Sequence, residues 1–327
     1  ESKPYKQAWA KTVDAAERYN EPGRFTAFIG YEWTSLVRGN NMHRVVIYRD
    51  GGDKGGQIVP YTTVAPHGST NPRDLWRWMS QYEQRTGGDV LAIPHNGNLA
   101  NGIMFPIDQQ NDGKRLSARW ADERAKWEPL YEATQITGDG ETHPFLSPDD
   151  EIADYETWDI GNLDVSEATT DDMLAGEYAR EGLKRGLQLE DRFGTNPYKF
   201  GMIGSTDSHT SLATAQEDNF FGKHSGAEPG PERMTHPFMT NENGTIMGWQ
   251  QVASGLAAVW AADNTLEAIF DARERKETYA TTGSRLRVRL FGGWDFTAVD
   301  RNNRQHGFGG YSKGVPMGGD LCAARAG

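Results

Sequence analysis

Three short apolar runs in this chain each stop at a carboxylate or an imidazole, and this pattern constrains its fold more than any other feature. Phe25-Thr26-Ala27-Phe28-Ile29-Gly30 leads into Tyr31-Glu32-Trp33, Val90-Leu91-Ala92-Ile93 into Pro94-His95-Asn96, and residues 199–203 into Gly204-Ser205-Thr206-Asp207-Ser208-His209. Runs of this length bounded by Gly and Pro read as buried strands. Helix patterns separate them: residues 7–20 with Trp9, Val13 and Ala16 inward, residues 71–84 opened by Asn71-Pro72, residues 171–193 closed by Gly194, and a helix from Asn264 or Thr265 to about residue 275. Further strands are expected over 43–48, 131–136 and 286–291. Such alternation predicts an α/β fold, and polar residues at strand ends are where an α/β barrel builds its site. Residues 137–166 read as an ordered insertion, 222–248 as a Gly- and Pro-rich loop, 279–283 as a turn, and the Gly-rich tail from 300 as frayed.

The chain is 327 residues long, enough for one large domain or two modest ones. Its net charge of -12 argues against a nucleic-acid partner, while leaving room for an anionic small-molecule substrate beside a bound cation. No apolar run is long enough for a membrane span, so no membrane partner is expected. Cys322 is the single cysteine, which excludes an intramolecular disulfide and a multi-thiolate zinc site. Any metal must then be held by His, Asp and Glu, a donor set that suits zinc, manganese or iron equally. Scarce cysteine fits the cytoplasm and the bacterial periplasm; the periplasm or secretion is favoured. Oligomeric state is not set by these features.

Asp207-Ser208-His209 places a carboxylate and an imidazole two residues apart just past a strand, a pairing divalent ions accept, although a turn-capping Asp beside a surface His gives the same letters. His95 follows a buried strand, with Asn96 next to it as a candidate to orient substrate or a ligand. Glu32 lies between two aromatics and needs a cation, a proton or several donors; Arg38, Arg44 and Arg49 are the competing partners. Glu132, on a buried-looking strand, could be a ligand, an anchor for a ligating His or an interior ion pair, the anchor being favoured. His143 lies in the insertion and is placed on the substrate side with Glu132, Arg44 and Arg285, the arginines as contacts for an anion. His67, His224, His236 and His306 read as surface residues. A nucleophile elbow, a phosphate-binding loop and a dinucleotide fingerprint are all absent.

Taken in order, Gly30-Tyr31-Glu32, the His43 strand, Ile93-Pro94-His95 and Gly204-Ser205-Thr206-Asp207-Ser208-His209 resemble the polymerase-and-histidinol-phosphatase (PHP) superfamily of metallohydrolases. Ala27-Phe28-Ile29-Gly30-Tyr31-Glu32-Trp33-Thr34, Leu146-Ser147-Pro148-Asp149-Asp150-Glu151 and Tyr279-Ala280-Thr281-Thr282-Gly283-Ser284-Arg285 resemble one branch more closely, the domain of unknown function 3604 family. The resemblance implies a distorted β/α barrel over residues 1–285, with the start of a C-terminal β segment over 286–327. It implies two or three divalent ions held by Glu32, His43, His95, Asp207 and His209, with Glu32 bridging. It also implies hydrolysis, often of phosphate esters; a phosphate ester or a related ester or amide attacked by metal-activated water is the expected reaction, with Glu32, Asp207 and Asn96 as catalytic candidates. The superfamily's opening H-x-H motif has no match here, which implies a chain lacking the first barrel strand and two ligands, with fewer ions or none. The competing expectation is a non-catalytic extracellular glycan- or ligand-binding module, suggested by ten tryptophans; a row of exposed Trp would favour it, and a His/Asp cluster would favour hydrolysis.

Overall fold

In the antiparallel sheet that opens the fold, β1 (Gly30–Trp33) and β3 (Val90–Pro94) flank β2 (Arg44–Tyr48). The computed structural model describes residues 2–212, 214–251 and 255–324. Register pairs Glu32 with Val45 and Val45 with Ile93, so the exits of β1 and β3 and the entry of β2 share one edge. A second sheet pairs β4 (Leu130–Gln135) with the short antiparallel β5 (Gly138–Asp139) and with the parallel β6 (Gly201–Gly204). A separate antiparallel pair, β7 (Leu256–Val259) and β8 (Thr278–Thr281), lies against β6. Gly204 permits that approach: a Cβ there would meet the Thr281 carbonyl oxygen at 2.8 Å and Leu256 backbone atoms at 3.0 Å.

The local reasons for the helices are ordinary. Asn71 accepts from Arg73 N to cap Pro72–Thr86, and Gly87, at φ 66°, ends it in the left-handed conformation. The helix buries Leu75, Trp76, Met79 and Tyr82, one face at helical spacing, together with Trp9 and Val13 of Lys3–Tyr19 and Val46 and Tyr48 of β2. Each such side chain contributes roughly 1.5–3 kcal/mol through burial. The other face of the first sheet, Val45, Ile47, Leu91 and Ile93, packs on Leu130, Ile203 and Phe270. Strand alternation thus gives one sheet two cores, with the polar edge between them.

Several expectations need correction. There is no closed barrel among the described residues; strands fall into small, mostly antiparallel sheets of two or three. The alternation of helix and strand suggested parallel crossovers, yet β1 reaches β2 through a short segment in which Leu36–Val37 pairs with Asn40–Asn41, and a connection that short forces an antiparallel pair. Among the described residues only β4 to β6 is a parallel crossover. β3 and β4 adjoin but exchange no ladder hydrogen bonds, so the ring a barrel requires is broken there. The first strand starts at Gly30, not Phe25, and the 171–193 helix divides into Asp171–Leu174 and Ala179–Phe193. Residues 279–283 are partly strand rather than turn. Over 286–291 only Phe291 is in a strand, where Phe291–Gly292 pairs with Val315–Pro316. The tail is not frayed throughout, since it holds helices Ala298–Asn302 and His306–Lys313. The insertion is ordered by Trp158 and Val165, which pack on Leu99 and Ile246.

Candidate metal centre

Strand geometry brings the first three polar residues together. Trp33 pairs with Arg44 and Arg44 with Pro94, so His43 precedes β2 where His95 leaves β3, and the two rings lie 5.6 Å apart. Asn41 fixes both: its Nδ2 donates to the carbonyls of His95 at 2.7 Å and Asn96 at 3.0 Å, and its Oδ1 accepts from His43 N at 3.3 Å. Asn96 turns the chain with φ at 52°, a conformation Asn tolerates better than most residues.

Glu32 is the centre of the cluster. Its Oε1 lies 2.9 Å from His43 Nδ1 and 3.0 Å from His95 Nε2, while its Oε2 lies 3.5 Å from His209 Nε2. The His209 ring is oriented by Nδ1, which donates to the Asp207 carbonyl at 2.9 Å and leaves Nε2 for Glu32. Two groups of potential ligand atoms result, Glu32/His43/His95 and Glu32/Asp207/His209, in each of which the atoms lie within 4.8 Å of one another. They share Glu32, whose two oxygens face different groups.

These residues fit a divalent cation. Both ring nitrogens of the buried His95 lack a hydrogen-bond partner, as does Nε2 of His43. His95 Nε2 approaches Glu32 Oε1 closely without hydrogen-bond geometry, the arrangement of two donors converging on a third centre. Buried polar atoms left this way cost free energy unless a ligand completes them. Nitrogen and carboxylate donors suit zinc, manganese or iron.

The electrostatics agree. Burial would raise the Glu32 carboxyl, but His209, His43 and His95 hold it well below the usual carboxylate range. Burial would depress His95, yet Glu32, Glu132 and Asp207 outweigh it and lift the imidazole to about 9. Burial dominates at His43, which is lowered despite Glu32. Glu32 raises His209 against a smaller effect of burial. Asp207 is pushed up by burial but held low by His95 and Lys223. Burial lifts Glu132 to about 7; its Oε1 stands 3.8 Å from His95 Nδ1 and its Oε2 accepts from Ser205.

Other expected residues fare differently. Arg44 points away from the cluster. It shares the β2 face of Val46 and Tyr48, is 0% exposed, and donates to Glu128 Oε1 at 3.0 Å and to the Met42 carbonyl at 2.7 Å. His143 stays outside both groups, bonded to Asp159 at 3.1 Å and packed on Tyr178. Asn96 Oδ1 accepts from Thr137, so its carboxamide is held within the scaffold. Arg285 is exposed and lines a cleft of about 560 Å³ with Ser205 and Thr206, the residues leading to Asp207.

Sequence reading passed over three neighbours, Asn41, Gln135 and Lys223, and set a fourth, His224, on the surface. Gln135 Nε2 donates to Asp207 Oδ2 at 2.8 Å, Lys223 Nζ donates to the Asp207 carboxylate and to its carbonyl at 2.7 Å, and His224, expected on the surface, stands with its ring 4.9 Å from His209. Neither Lys223 nor His224 lies in a motif, and nothing in the sequence tied either to residue 207.

No curated protein and no solved structure matches the chain. A family model described as "Protein of unknown function (DUF3604)" matches residues 1–327, and the chain belongs to that family.

Proposed function

We propose that this protein is a metal-dependent hydrolase acting on a phosphate ester or a related ester or amide, within the wider PHP group of metallohydrolases. The observation that carries this reading is the Glu32 carboxylate, with one oxygen against His43 and His95 and the other against His209. Bound there, a divalent ion would act as a Lewis acid toward water and toward a phosphoryl or carbonyl oxygen. Glu32, His43 and His95 would hold it, with Asp207 and His209 on the far side of Glu32. The chain's own residues set the geometry: Asn41 fixes the backbone of both neighbouring histidines, and Glu132 faces the remote nitrogen of His95. Carboxylates and carbonyls behind ligating histidines orient the ring and raise its basicity.

Glu32 also borders an open cleft of about 320 Å³ lined by Tyr5, Trp9, Tyr31 and Tyr61, through which a small molecule could approach. The glycan-binding alternative draws no comparable support. Trp9, Trp33, Trp76, Trp120, Trp127 and Trp158 are buried, and Trp249 and Trp294 are the exposed ones, far apart in the chain.

The test is hydrolysis of aryl phosphate, phosphodiester and carboxylic ester probes with added zinc or manganese. Turnover that is lost on chelation, and lost in folded Glu32→Gln and His95→Ala, is the expected result. Equal turnover in all of these would refute the reading.

A further inference from the structure

We propose that Lys223 takes the place of one metal ion, so that this chain binds a single divalent cation at Glu32, His43 and His95 rather than a pair bridged by Glu32. The inference rests on the metal-centre reading above and narrows it.

A second ion would need the Asp207 carboxylate together with His209 and Glu32. That carboxylate is already engaged. Its Oδ2 accepts from Gln135 Nε2 at 2.8 Å and from the Lys223 ammonium, which also donates to the Asp207 carbonyl. Lys223 is not a surface side chain that has folded inward. It is 8% exposed, and its own carbonyl accepts from His209 N at 2.7 Å, while His224 bridges to His209 in parallel fashion. The lysine is therefore tied to the Asp207–His209 segment at both its backbone and its head. An ammonium at that distance repels a dication on the same carboxylate, and it already supplies the positive charge a buried Asp requires.

The first group is built differently. Among the described residues the side chains that contact Glu32, His43 and His95 include histidines but no Lys or Arg, and Nε2 of His43 and both ring nitrogens of His95, which lack hydrogen bonds, lie there. One half of the cluster is complete without a metal, and the other half is not.

The experiment is a metal count on the folded chain. Metal-free protein is titrated with zinc alone and with manganese alone, followed by calorimetry and by elemental analysis after desalting. Expected are one ion per chain in the wild type, one in Asp207→Ala, none in His43→Ala, one in Lys223→Arg and two in Lys223→Met. Two ions in the wild type, or one in Lys223→Met, would overturn the inference and leave the metal centre standing. No ion in the wild type would overturn both. Should Lys223→Met fail to fold, the wild-type and Asp207→Ala counts decide the matter.

Discussion

Replacing Arg44 by Met should lower stability without touching metal binding, and the size of the loss follows from its partners. Glu128 is buried between two guanidinium groups, Arg44 at 3.0 Å and Arg124 at 3.1 Å, and also accepts from Trp76 Nε1 at 2.9 Å. The group carries two cations and one anion. Removing one member of a buried pair costs about 3–5 kcal/mol when it strands a charge. In Arg44→Met the carboxylate keeps Arg124 and Trp76, and what is stranded is mainly the Met42 carbonyl, so the loss should be about 1–3 kcal/mol. In Glu128→Gln two cations face each other without an anion, and the loss should reach about 4–5 kcal/mol. Urea denaturation at pH 7 measures both. The pH dependence has a definite sign. Burial would raise the Glu128 carboxyl, but the two arginines hold it below its ordinary value. Its contribution is therefore full above the unfolded carboxyl range and is lost as pH falls through the lower folded value. The gap between wild type and Glu128→Gln should close only in acid. Glu128→Gln costing no more than Arg44→Met, or an altered metal count in Arg44→Met, would refute the reasoning.

Three further outcomes are expected. Gly204→Ala should destabilise by about 1–3 kcal/mol, because its methyl group would press on the Thr281 carbonyl at 2.8 Å; an unchanged thermal midpoint would contradict this. In metal-free protein His95 should titrate near pH 9, since its folded value is raised. Its stabilising contribution is then full below the unfolded value and fades as pH rises through about 9; NMR of the ring protons checks this, and added zinc should abolish the titration. Asn41→Ala should weaken metal affinity about 10–100-fold by releasing the backbone of both His43 and His95, as measured by competition with a chromophoric chelator.

Much of the candidate cluster could be read in the sequence because its residues lie within or close to the ends of short strands. A short apolar run ending at Glu32 or His95 fixes both burial and position, and the D-x-H spacing keeps Asp207 close to His209. The supporting residues were hidden for a physical reason. Asn41 acts on backbone more than fifty residues away, and Gln135 and Lys223 reach Asp207 from separate segments, so no local pattern announces them. Arg44 misled because an arginine next to a candidate ligand suggests an anion, whereas alternation along β2 sends it to the opposite face from Val45. The barrel expectation failed at connections. Elements and their order were legible, but the antiparallel turn between β1 and β2 and the missing ladder between β3 and β4 depend on hydrogen bonds that apolar spacing does not encode.

The central claim is that Glu32, His43 and His95 together hold a divalent cation. Crystals grown with zinc and measured on both sides of its absorption edge test it most directly. An anomalous peak within coordinating distance of Glu32 Oε1, His43 and His95 is predicted; the absence of any peak there, with the three side chains bonded only to one another or to water, would contradict it.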